Sequence, residues 1–108
     1  MLNYIEVMKN YLELDVFLAN ASWVHISEKH PEISIEMIRK TILEPDFVLM
    51  SEINPSAVIY FLRKNPDESK IRFSVIIVKC KEDGLWISTA MTKNKDTGGI
   101  EIYRRLPC

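Results

Sequence analysis

Two histidines are the residues best suited to proton chemistry near neutral pH, and the chain holds only these two, His25 and His30. They stand five apart, at either end of one short segment with helical character. A pair so placed can supply a general base and a general acid. The bland alternative is that His25, following Trp23-Val24, is a satisfied, half-buried side chain. His-x4-His together with Cys80 and Cys108 also contains the atoms of a zinc site. That spacing is one longer than in the usual finger, and the thiols form no CxxC pair, so no metal is expected. Trp23 and Trp86 have the flat rings on which bases stack, although aromatics in such positions more often fill a core. Ser88, Thr89 and Thr92 close the last well-marked apolar run, where a hydroxyl can hold a phosphate or simply finish a strand. No Walker loop, GxGxxG, HExxH or GxSxG occurs. ATP-driven, dinucleotide and common hydrolase chemistries are therefore set aside, and no cofactor is expected.

The elements that must position these groups follow from hydrophobic periodicity. Leu2, Ile5, Met8 and Leu12 recur at roughly helical spacing, although Tyr4-Ile5-Glu6-Val7 could equally begin a strand. Leu12, Leu14, Val16 and Leu18 alternate with their neighbours, which reads as a half-buried strand. Asn20-Ala21-Ser22 reads as a turn with Ser22 as N-cap. A short helix from Trp23 to Lys29 is closed by His30-Pro31. A second helix starts at Ser34, with Ile35, Ile38, Ile42 and Leu43 as its apolar stripe. Phe47–Met50, Ala57–Leu62, Ile71–Lys79 and Leu85–Met91 read as strands. Turns are expected at Asn54-Pro55-Ser56, Asn65-Pro66-Asp67-Glu68 and Glu82-Asp83-Gly84. Gly98-Gly99 reads as flexibility, and Ile100–Tyr103 adds an edge strand or packs loosely. The expected architecture is α+β, a single domain over 1–108: N-terminal helices packed on a curled antiparallel sheet of about four strands.

The chain has 108 residues, 47% apolar and 27% charged, with a net charge of −1. This is ordinary globular composition and excludes disordered, collagenous and disulfide-scaffold classes. The charge is uneven. Residues 1–56 hold four basic against nine acidic side chains, a net of −5, and residues 57–108 hold ten against six, a net of +4. The basic half includes Arg63, Lys79 and Lys93 and suggests an anion-facing surface. Two unpaired cysteines, no leader pattern and no apolar run of membrane-spanning length suggest a cytoplasmic protein without a membrane partner.

Taken in order, the segments form a recognisable set. They are Trp23-Val24-His25-Ile26, His30-Pro31-Glu32, Thr41-Ile42-Leu43-Glu44-Pro45-Asp46, a strand around Tyr60, Ser74-Val75-Ile76-Ile77-Val78-Lys79, and Trp86-Ile87-Ser88-Thr89-Ala90. The set resembles the phage-associated branch of the barnase–EndoU–colicin–RelE-like (BECR) nucleases over about residues 14–105. The resemblance implies a BECR-like sheet of four antiparallel strands and metal-independent RNA cleavage. It also implies a toxin-like role, with RNA as substrate and a cognate antitoxin or immunity protein as partner. By position, His25 and His30 are the implied acid–base pair and Thr89 a phosphate-bonding catalytic residue. Trp23, Arg63, Lys79 and Lys93 become the substrate-binding set. Met91 stands where the family carries an aromatic residue, and Lys29 where arginine is common. The alternative on the same fold is a non-catalytic RNA- or protein-binding module.

Overall fold

A computed structural model describes residues 4–64, 71–95 and 98–106. In chain order the elements are strands β1 (Tyr4–Lys9) and β2 (Asp15–Ala19), helices α1 (Asn20–Lys29) and α2 (Ile35–Leu43), and strands β3 (Phe47–Met50), β4 (Ala57–Arg63), β5 (Phe73–Lys81), β6 (Gly84–Lys93) and β7 (Ile100–Arg104). They form one seven-stranded sheet in the order β1-β2-β6-β5-β4-β3-β7. Neighbours are antiparallel except β2 and β6, which run parallel through Val16↔Leu85 and Phe17↔Trp86.

This corrects the expected α+β architecture of N-terminal helices on a four-stranded antiparallel sheet. The chain opens with a hairpin, and the sheet is mixed and seven-stranded. The helical spacing of Ile5 and Met8 does not reflect a buried stripe, because Met8 is buried while Ile5 and Val7 lie exposed on an edge strand. The β-branched and aromatic composition of Tyr4-Ile5-Glu6-Val7 prevails. The turn is Asn10's work. Its side-chain oxygen accepts from the amides of Leu12 and Leu14 at 2.9 and 3.0 Å, which lets Glu13 adopt φ 62°. Asn20-Ala21-Ser22 is no turn: α1 begins there, with Ala19 as an N-cap that makes no side-chain bond. Ser34 does cap α2, accepting from the Met37 amide at 3.1 Å.

Both helices pack on one face of the sheet. Ile26, Ile38 and Ile42 meet Val16, Leu18, Val48, Tyr60, Ile76, Val78, Ile87 and Ala90 there. Thr41 and Ser74, both buried on this face, bond to each other at 2.5 Å. The hairpin turn reaches the same core, where the Asn10 amide donates to the Tyr60 hydroxyl at 3.1 Å and Tyr11 packs on Tyr103. Because side chains alternate along a strand, the second face holds a separate core of Phe47, Leu49, Ile59, Phe61 and Val75, flanked by Phe73, Ile77 and Met91. β7 is an edge strand paired antiparallel with β3, with a register shift between Val48 and Leu49. Gly99 makes this possible: at φ 143° it approaches Leu49 and Met50 so closely that a Cβ would lie 2.8 Å from the Met50 carbonyl oxygen. The turn expected at residues 65–68 lies outside the described residues.

Candidate functional site

The sheet's register decides which candidates can meet. On the second face, Arg63, Phe73 and Lys93 stand opposite one another on β4, β5 and β6. Towards the other end of the same face, Ile77 faces Thr89 and Lys79 faces Trp86. A bulge leaves Ser88 between the residues paired with Ile77 and Val78, which turns both Trp86 and Thr89 to this face. Four of the expected residues, Arg63, Lys79, Thr89 and Lys93, therefore share a face, at two separated ends of it. The Trp86 ring stacks on Phe17 with centroids 5.0 Å apart. At the strand edge, Arg104 lies 4.8 Å over the Phe47 ring.

The histidines and Trp23 are on the helix-covered side. Trp23 is half-buried and packs against the core between helices and sheet. His25 is exposed on α1. His30 caps that helix, its amide donating to the Ile26 carbonyl at 2.7 Å. On ideal helical geometry the two Cα positions lie about 7.5 Å apart along the axis and about 140° around it, so the side chains leave on different sides of the helix.

His30 instead joins Glu32, Thr92 and Lys64. Its Nδ1 lies 3.8 Å from Glu32 Oε2. The Thr92 hydroxyl donates to the same oxygen at 3.1 Å, tying the loop after α1 to the end of β6. Glu32's carboxyl is held below its usual range, chiefly by its own backbone amide. Desolvation opposes this, and Thr92, His30 and Lys64 add to it. Lys64 follows Arg63 at the end of β4, and Lys93 follows Thr92 at the end of β6. His30, Glu32, Lys64 and Thr92 thus form a rim at one end of the sheet. Arg63 and Lys93 lie one residue further round, on the opposite face.

The rim can do acid–base and anion chemistry: a half-buried imidazole, an oriented carboxylate and cations sit within one end of three strands. Glu32, Lys64 and Thr92 lie outside the expected site set. Glu32 is marked in sequence by its place in His-Pro-Glu and Thr92 by its hydroxyl near Ser88 and Thr89, whereas Lys64 carries no signal without the register. Asp46, from the Thr41–Asp46 segment, is structural. It accepts from the Arg63 amide at 2.7 Å and pairs with Arg105, joining β3, β4 and the end of β7.

Comparison with protein-family models, curated proteins and solved structures returns no match. Among the described residues, no three of His, Cys, Asp and Glu gather as a metal-binding set, and Cys108 lies outside them. No helix there is long and apolar enough to cross a membrane.

Proposed function

We propose that the chain is a metal-independent endoribonuclease acting at the His30 rim. The observation that carries this reading is the gathering of His30, Glu32, Lys64 and Thr92 at the strand ends, with Arg63 and Lys93 on the opposite face of the same ends. The ordered resemblance to the BECR nucleases supports it, although the sheet departs from the one that resemblance implies. RNA supplies its own nucleophile. His30 turns Nδ1 towards Glu32 and leaves Nε2 to take the proton of a ribose 2′-OH. The 2′-oxygen attacks phosphorus, the bond to the 5′-oxygen breaks, and a 2′,3′-cyclic phosphate forms. Lys64, on the rim with His30, stabilises the charge that develops on phosphorus, and Arg63 and Lys93 on the opposite face hold neighbouring phosphates of the strand. The Lys64 ammonium is the donor for the leaving 5′-oxygen. The chain acts as a cytoplasmic toxin in this reading, and an inhibitor would cover the rim with an anionic surface.

The test is incubation of purified protein with single-stranded RNA in excess chelator. We expect fragments ending in 2′,3′-cyclic phosphate. RNA that is bound and left intact would instead favour the non-catalytic RNA-binding module. RNA neither bound nor cut would end both readings.

A further inference from the structure

We infer that the far end of the second face is a separate binding subsite, and that the substrate is a single-stranded RNA spanning several nucleotides. This deepens the ribonuclease reading and rests on it. Lys79 and Trp86 stand opposite each other on β5 and β6, on the face that carries Arg63 and Lys93. Six residues of β5 separate Phe73, between Arg63 and Lys93, from Lys79. At about 3.3 Å per residue the two cationic ends are about 20 Å apart. One phosphate cannot reach both.

The far end is built rather than incidental. Trp86 is fixed by three neighbours: it stacks on Phe17, meets Tyr4 edge-on at 6.4 Å, and donates its indole N–H to Asp83 Oδ1 at 2.9 Å. A ring held in place loses little freedom when a base packs against it. Lys79 beside it is exposed, as are Cys80 and Lys81 after it. Between the ends the face presents half-buried Ile77, Thr89 and Met91, an apolar strip with one hydroxyl. Phosphate charge at both ends, bases over the strip and a ring at the far end match a strand with unpaired bases. A duplex hides its base faces and offers only its backbone to such a strip.

The experiment measures fluorescence anisotropy of labelled oligouridylates: a dinucleotide, a tetranucleotide and an octanucleotide. The proteins are wild type, Lys79→Glu and Trp86→Ala. Wild type is expected to bind the octanucleotide at least about tenfold more tightly than the dinucleotide, from added stacking and phosphate contact. Lys79→Glu, an exposed change that leaves the core intact, is expected to remove most of that length advantage. Trp86→Ala should do the same if its melting curve stays cooperative. Length-independent binding, or a Lys79→Glu effect equal on all three lengths, overturns the subsite while leaving the ribonuclease reading intact. Failure of wild type to bind or cut any of the three overturns both.

Discussion

At the residue scale, the two histidines differ in their surroundings rather than in their chemistry. His30 has a carboxylate within 3.8 Å and cations on adjoining strand ends, whereas His25 points from an exposed helical turn. The buried polar groups also make definite predictions. Thr41→Val removes the bond to Ser74 and leaves that hydroxyl with only a long contact to the Leu62 carbonyl at 3.5 Å. A loss of about 1–3 kcal/mol is expected by chemical denaturation. Tyr60 is buried, and burial pushes its hydroxyl up to about 12 despite the Asn10 bond. An unfolded tyrosine ionises near 10, so above that pH the unfolded chain releases a proton that the folded chain keeps. Stability from this group is complete below about pH 10. It falls as pH rises to about 12 and levels off above. Alkaline denaturation followed by circular dichroism should show the fall, and Tyr60→Phe should lessen its slope.

At the element scale, the middle of the chain was legible and its ends were not. The stripe of Ile35, Ile38 and Ile42, the Ser34 cap and the apolar runs of β3 to β6 are local patterns, and local physics makes them. Ser34→Ala should therefore cost about 1 kcal/mol, seen in the melting midpoint. β1 was obscured because an edge strand buries few side chains and its few apolar residues fall at helical spacing by coincidence. The start of α1 was obscured because Asn20-Ala21-Ser22 has turn composition, yet packing of Trp23 and Ile26 carries the helix through it. Gly99 looked like looseness and is a close-approach site. Gly99→Ala would set a Cβ against the Met50 carbonyl, and hydrogen exchange in β7 is expected to rise sharply while the β4–β6 amides stay protected.

At the scale of the whole molecule, the charge asymmetry of the sequence becomes a division of labour. The acidic half supplies the hairpin and helices that cover one face, and the basic half supplies the central strands that carry Arg63, Lys79 and Lys93. Alternation fixes only which residues of one strand share a face, and Arg63, Lys79 and Lys93 stand on three different strands. That Lys93 lies opposite Phe73 and Arg63, and Lys79 opposite Trp86, needs the register, which non-local strand pairing and the bulge at Ser88 set beyond the reach of local pattern. The parallel β2–β6 pairing is equally non-local, and it makes the sheet mixed. The candidate site was half legible for the same reason. His30 and Lys93 stood out by type, while Glu32, Lys64 and Thr92 gain meaning only where strand ends and the loop after α1 meet. The most direct measurement of the central claim is the rate of RNA cleavage by His30→Ala beside His25→Ala, both checked for wild-type melting. A loss of at least about a hundredfold for His30→Ala, with most of the rate kept by His25→Ala, is predicted. Equal rates in the two variants, or a collapse only in His25→Ala, would contradict it.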